Sequence, residues 1–323
     1  MKKLILVLSL FGGMAGLKAQ QDAQYSQFFL NKLTYNPAYA GSEDKICATG
    51  LYRSQWLGFG NDKSGYSPTT FLANINAPIG KSFGAGLNIT RDQLGFEVSV
   101  NPMLSLAYRY HFKNESVLAA GVGAGVMQKS LAGTKLNPLE SGDPFIPGSD
   151  VSGYAADFNF GLYYTMPSLW RFNDFYAGAS ASHLTQGNVQ YANINNPMKL
   201  HYYFMTGASY GLSPSLAIEP NLLIKTDLAK TTADINAMVM YNNKIRGGLS
   251  YRTGDAVVVL VGYRFFERER SSLQLGYSYD LTTSDIISYS TGSHEIVLKY
   301  CFMPKFNPKP EKELVPRLTP RFL

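Results

Sequence analysis

The chain has 323 residues, a formal net charge of +6 and only 16% charged side chains, against about 25% in an ordinary globular protein. Tyr (22), Phe (19) and Gly (30) are abundant, yet no stretch after the start approaches the roughly 18 uninterrupted apolar residues that a spanning helix needs. The positive balance does not point to nucleic acid, because part of it belongs to Lys2, Lys3 and the basic C-terminal end.

Residues 1–20 place Lys2 and Lys3 before an apolar run (4–10) and then small residues up to Ala19. That is the order of a secretory signal peptide, with cleavage expected after Ala19 or Gln20, although Leu17 is larger than the small residue usual near such a site. No cysteine stands nearby, so lipoprotein anchoring is not expected. An exported chain that is rich in alternating patterns and lacks spanning helices has a closed β-barrel as its membrane solution.

Within residues 21–44, "QYSQFFLNKL" reads as a short amphipathic helix and "NPAYAG" as a turn. This segment is expected inside the barrel or across its periplasmic mouth, where Phe28, Phe29, Tyr35 and Tyr39 would plug the lumen. A flexible periplasmic leader is the alternative.

Residues 45–302 repeat a period-two pattern, the mark of a sheet wet on one side. "GSHEIVLKYCF" sets Ile296, Leu298, Tyr300 and Phe302 against Glu295, Val297, Lys299 and Cys301. "PMLSLAYRYHF", "AVVVLVGYRFF" and "SLQLGYSYDL" alternate in the same way. Strands are expected near 45–52, 69–77, 83–91, 98–112, 116–128, 157–166, 174–184, 200–212, 215–226, 232–241, 244–253, 256–266, 271–281 and 293–302. The expectation is therefore an all-β, antiparallel transmembrane barrel of about 14 strands, many close to the roughly 9–11 residues of a tilted spanning strand. "AAGVGAGV" puts Gly121, Gly123 and Gly125 at period two, which suits close packing or curvature.

The connections sort by length, as in outer-membrane barrels. With the N-terminus periplasmic, "PIGKS", "KN", "SP", "NN" and "ERER" fall on one side, with "PSLWRFND" as a long exception. "RSQWLGFGNDKSGYSP", residues 129–156, "TQGNVQYANINNPMK" and "TTSDIISYSTG" fall on the other, with "GD" at 254 as a short one. A soluble or fibrous β-protein would have no reason to sort its loops this way. The long loops carry Trp56, Phe59, Phe145 and Tyr191, aromatics that suit partner docking at exposed tips or a lid folded over the barrel.

Enzyme chemistry is not expected. The four histidines (111, 183, 201 and 294) form no HExxH motif and no metal-spaced pair; neither cofactor nor metal is implied. His183, beside Ser180 and Ser182, could belong to a hydrolase assembled across strands, but reads better as a lumen-facing histidine in a polar network. In a closed 14-strand barrel the first and last strands are neighbours. Cys47 and Cys301, both inward in parity and near the periplasmic ends, could then form a disulfide across the seam in an oxidising compartment, despite the demanding geometry between adjacent strands. Residues 303–323 hold five prolines, which block ladders and helix interiors. They read as an extended cationic periplasmic tail, a tether or a solvated end.

The segment "QDAQYSQFFLNKLTYNPAYAGS" (21–42) resembles the opening of the PorP/SprF family, outer-membrane proteins of the type IX secretion system of gliding and related bacteria. "YRSQWLGF", "SPTTFLANINAPI", "DFNFGLYY", "FYAGASASHL", "YNNKIRGGLSYRTGDAVVVLVGY" and "LQLGYSYDLTTSDIISYSTGSHEIVLKYCF" follow in the same order. The tail departs from that likeness by extending further. The resemblance implies a non-enzymatic outer-membrane barrel that binds the C-terminal domain of secreted cargo or an adhesin, supporting its export or surface retention. Other type IX components in the periplasm and outer membrane, and the lipid bilayer, would be its partners. The competing expectation is a passive channel or hydrophobic-ligand transporter gated by the N-terminal segment.

Overall fold

The computed structural model describes residues 22–59, 67–136, 146–191, 193–268 and 270–304. The expected signal segment, Phe145 and the tail beyond residue 304 lie outside these. The strands are β1 (Ile46–Ser54), β2 (Thr69–Ile79), β3 (Phe83–Leu94), β4 (Glu97–His111), β5 (Val117–Leu131), β6 (Val151–Leu169), β7 (Phe172–Ser182), β8 (Asn188–Tyr191), β9 (Ile194–Pro197), β10 (His201–Ser213), β11 (Leu216–Thr226), β12 (Thr231–Tyr241), β13 (Ile245–Arg252), β14 (Ala256–Arg268), β15 (Ser271–Thr282) and β16 (Ser293–Phe302).

Fourteen of them close an antiparallel up-and-down barrel, β8 and β9 forming a separate hairpin between β7 and β10. The seam pairs β1 with β16 in unbroken register from Ile46 opposite Phe302 to Ser54 opposite His294. Closure follows from the absence of water in a bilayer core, where an open sheet edge would leave backbone groups unsatisfied. Among the described residues no helix is long and apolar enough to cross a membrane.

Period-two alternation decides which side chains face out. On β4, Met103, Ser105, Ala107 and Arg109 are buried while Leu104, Leu106, Tyr108 and Tyr110 are exposed. On β16, Glu295, Val297, Lys299 and Cys301 are buried and Ile296, Leu298, Tyr300 and Phe302 face outward. Near the short-turn end the outward rings pair along and across strands: Tyr110 with Phe112 at 4.8 Å, Tyr263 with Phe265 at 5.1 Å, Phe83 with Tyr108 at 5.4 Å. Amphipathic rings at that level form the aromatic girdle of a membrane barrel.

Two connections differ from the sequence reading, one sharpening the loop asymmetry and one softening it. β6 runs on to Leu169 and β7 starts at Phe172, so "PSLWRFND" shrinks to a tight link at 170–171, in which Trp170 takes a left-handed φ of 57°. β5 and β6 also reach further on the long-loop side, pairing up to Leu131 opposite Val151, which shortens the expected 129–156 loop.

Candidate functional site

Residues 22–44 lie inside the barrel. A 3-10 turn (Phe28–Leu30), one α-turn (Lys32–Tyr35) and a second 3-10 turn (Pro37–Tyr39) replace the expected amphipathic helix. Walls packed against most of the segment leave no continuous wet side for such a helix to face. Asn36 starts the last turn by accepting from the Ala38 amide, with Pro37 at the first position, where its missing N–H costs nothing. Phe28, Tyr35 and Tyr39 are buried among wall residues such as Leu51, Leu72 and Tyr163, and Phe29 is half-buried against Met238, Val258 and Leu260.

The wall is shaped to receive this segment. A Cβ on Gly121 would sit 2.4 Å from the Ala38 nitrogen, and one on Gly84 would sit 2.1 Å from the Ala40 carbonyl oxygen, so only glycine lets wall and segment backbones meet there. The wall also supplies hydrogen bonds to the segment: Asn36 Nδ2 donates to the Leu162 carbonyl at 2.8 Å, Ser180 Oγ to the Tyr35 carbonyl at 2.6 Å, and the Gly41 amide to Asn76 Oδ1 at 2.5 Å. Lys32 Nζ lies 3.4 Å from the centre of the Tyr176 ring and 3.5 Å from Tyr163 Oη. Burial, reinforced by Lys299, pulls Lys32 down to about 7.

On the other wall a charged cluster holds the start of the segment. The Ser26 and Gln27 amides both donate to the Glu295 carboxylate at 2.8 Å. Ser26 Oγ donates to Asp280 at 2.7 Å and accepts from Arg53 at 2.9 Å and Arg252 at 3.1 Å. Arg53 pairs with Asp280 (2.8 Å) and Glu295 (3.3 Å), and Arg252 with Asp234 (2.6 Å) and Asp280 (3.1 Å). Both arginines are completely buried. Removing one partner of such a buried network typically costs about 3–5 kcal/mol, because it strands the opposite charge.

Above the segment a cavity of about 680 Å³ opens among the strand ends on the long-loop side, with Tyr25, Leu33 and Tyr35 on its floor and Asp92, Glu97, Lys129, His183 and His201 in its wall. Asp22 lies between the two histidines: its Oδ1 is 3.1 Å from His183 Nε2 and its Oδ2 4.0 Å from His201 Nδ1. Tyr203 Oη donates to Asp22 as well. His183 Nδ1 is 2.9 Å from Asp157 Oδ2, itself bonded by Asn101, so His183 sits in a polar lumen network. Burial disfavours an imidazolium here, but the Asp22 and Asp157 carboxylates outweigh it and hold His183 up at about 10. Burial would likewise raise Asp22, and the histidines override it to hold the carboxyl well below the usual range.

The loop aromatics separate. Phe59 is 37% exposed, and Trp56 packs beside it at 6.3 Å with its amide donating to Ser293 Oγ. Tyr191 is not an exposed tip: it is 4% exposed and its hydroxyl donates to Glu97 at 2.7 Å. The β8–β9 hairpin folds down over the extended ends of β5 and β6, where Val189, Tyr191 and Met198 pack with Met127, Leu131 and Val151. Phe145 lies outside the described residues. A disulfide joins Cys47 to Cys301, opposite each other across the seam.

Sequence reasoning did not single out Arg53, Arg252, Asp234, Asp280 or the Asp22, Asp157 and His201 set. Inward parity on their strands marks the wall residues one by one, but only the closed register shows which of them meet.

The family model for "Type IX secretion system membrane protein PorP/SprF" matches residues 17–300. No curated protein matches. The monoaromatic hydrocarbon channel CymD is 11% identical with a TM-score of 0.50, covering 92% of this chain and 97% of its own. A mutant of the monoaromatic hydrocarbon channel TodX is 12% identical with a TM-score of 0.51, covering 85% and 94%. A Pseudomonas aeruginosa FadL homologue is 14% identical with a TM-score of 0.44, covering 83% and 92%. At these identities the likeness concerns the barrel fold.

Proposed function

The chain belongs to the PorP/SprF family of type IX secretion membrane proteins, an outer-membrane barrel, and from that premise we propose that it acts as an occluded, non-enzymatic docking component. On this reading its long-loop face binds the C-terminal domain of an exported adhesin or other cargo and supports its export or surface retention, in gliding among other processes. Other type IX components would contact it from the periplasm and within the membrane.

The observation that carries this reading is the seating of residues 22–44 against glycine-lined walls. A lumen filled in that way leaves no thread-through path for a polypeptide, so the work falls to the rim. There Phe59 offers exposed ring surface, and Trp56 backs it. Aromatic anchors of this kind commonly contribute about 2 kcal/mol or more to an interface.

The test is copurification of a cargo C-terminal domain from native membranes. The Trp56→Ala/Phe59→Ala double variant is expected to lower recovery by at least about tenfold, which corresponds to roughly 1.4 kcal/mol. Undiminished recovery, with the barrel folded, would remove the rim from the reading.

A second reading, a channel or hydrophobic-ligand transporter gated by the segment, draws on the cavity of about 680 Å³, a size suited to small ligands (about 300–1,000 Å³), and on barrels of similar fold described as monoaromatic hydrocarbon channels. Ohmic conductance of the intact protein in planar bilayers would favour it. Closure that persists after deletion of residues 22–40 would exclude the segment as the gate.

A further inference from the structure

We propose that Asp22, His183 and His201 form a site for a borderline divalent metal of the Zn²⁺ class, and that the metal fastens the start of the inner segment to the rim of β7 and β10. The inference is independent of the docking reading, because it rests on side chains inside the cavity and not on the loops.

Three features point to it. One imidazole nitrogen from each histidine and one Asp22 carboxylate oxygen lie mutually within 4.8 Å. Two imidazoles and a carboxylate are the donor set that Zn²⁺ takes in sites keeping a fourth position for water, and the cavity beside Asp22 supplies that water. The outer contacts also suit metal binding. Asp157 lies 2.9 Å from His183 Nδ1 and the Lys199 carbonyl 2.9 Å from His201 Nδ1, so each ring has an acceptor that would hold the Nδ1–H tautomer and leave Nε2 for a metal. A carboxylate or carbonyl behind a ligating histidine is the usual support for such a ligand.

The third feature is independent of the other two. His201 Nε2 is buried with no hydrogen-bond partner, on a residue only 5% exposed. A buried polar atom left unpaired is costly, and a metal bond would satisfy it. His183 Nε2 faces Asp22 Oδ1 at 3.1 Å, so the two donors already point at each other across the proposed metal position. The cluster is out of reach of motif reading because Asp22 and His183 are 161 positions apart.

The experiment titrates Zn²⁺ into the EDTA-stripped full-length barrel in detergent, read by calorimetry, with hydrogen exchange of the Ser26 and Gln27 amides as a second readout. One equivalent is expected to bind, Mg²⁺ is not, and Zn²⁺ is expected to slow exchange at those amides. His183→Gln and His201→Gln should each weaken binding by at least about tenfold, the lower end for losses at metal-site residues. Asp22→Asn, which leaves the wall untouched, guards against a folding artefact and should weaken binding as well. A His111→Gln/His294→Gln variant removes the histidines outside the cluster and should bind as the parent does. Absence of stoichiometric binding, or binding kept by the His183 and His201 variants, would overturn the proposal. Binding without slower amide exchange would overturn the fastening role.

Discussion

The two halves of the lumen differ although one alternating pattern builds both. Toward the short turns the inward positions include Gly84 and Gly121, on which the backbone of residues 37–41 lies directly, and Gly161, which meets the Asn36 side chain. Toward the long loops the inward positions carry Asp92, Glu97, Lys129 and His201, and a cavity of about 680 Å³ opens above Tyr25 and Tyr35. Alternation therefore makes a barrel, while the size and polarity of the inward residues decide whether its inside is filled or wet.

The strongest way to break this contrast is to put a side chain where the segment lies. Gly121→Val is expected to expel residues 36–41 and turn a closed protein into a conducting one in planar bilayers, whereas Gly247→Val, where a Cβ would meet nothing within 4 Å, should leave closure alone. If Gly121→Val stays closed with unchanged stability, the close approach is not what holds the segment.

Next in size is the charged clamp. Arg53→Ala takes the arginine from buried Glu295 and leaves Asp280 paired with Arg252, and should cost about 3–5 kcal/mol in urea unfolding from lipid vesicles. Lys129→Ala, which breaks the Lys129–Glu97 pair in the wet half, should cost under about 1 kcal/mol. Equal losses would mean that burial does not separate the two ion pairs.

The seam follows. Cys47→Ser removes a crosslink between positions 254 apart and is expected to destabilise by about 2–4 kcal/mol, together with loss of the mobility shift on reduction. A parent protein whose two thiols both label without reductant would contradict the bridge.

A further test sharpens the account of the packed half through pH. Lys32, held at about 7 in the fold against 10.5 when free, binds fewer protons folded than unfolded between those values, so its contribution to stability rises as pH climbs from 7 toward 10.5 and is worst below 7. The groups acting on it are Lys299, Glu43, Glu219 and Arg246. Lys32→Met should flatten the stability slope between pH 7 and 10; a slope unchanged by the substitution would show that the lysine is solvated.

The barrel was legible because its signal is local: Ile296, Leu298 and Tyr300 outward, Glu295 and Lys299 inward, can be read from ten consecutive residues. The meeting of side chains across the lumen was not. Arg53 and Glu295 face each other only because β1 pairs with β16, and Arg252 reaches Asp280 only across the curvature of the wall. Tyr191 takes the lid alternative and not the exposed tip, and nothing in "NVQYANINNP" could decide between them, because the choice depends on β5 and β6 extending far enough to offer it a surface. The helical turns of residues 28–39 took their form from the wall and not from their own propensity, which is why an amphipathic pattern misled there.

The register of the seam has a consequence for biogenesis. β1 has β2 on one side, and its other neighbour is the last strand of the barrel, so the first strand waits for nearly the whole chain before its edge is satisfied. The inner segment is anchored partly on Glu295 of that last strand. Insertion, occlusion and sealing thus coincide in one terminal step. A chain cut short before residue 293 would present a raw sheet edge, ready to pair with other chains, and an N-terminal segment without its Glu295 anchor, which makes completeness of synthesis itself a checkpoint on the finished barrel.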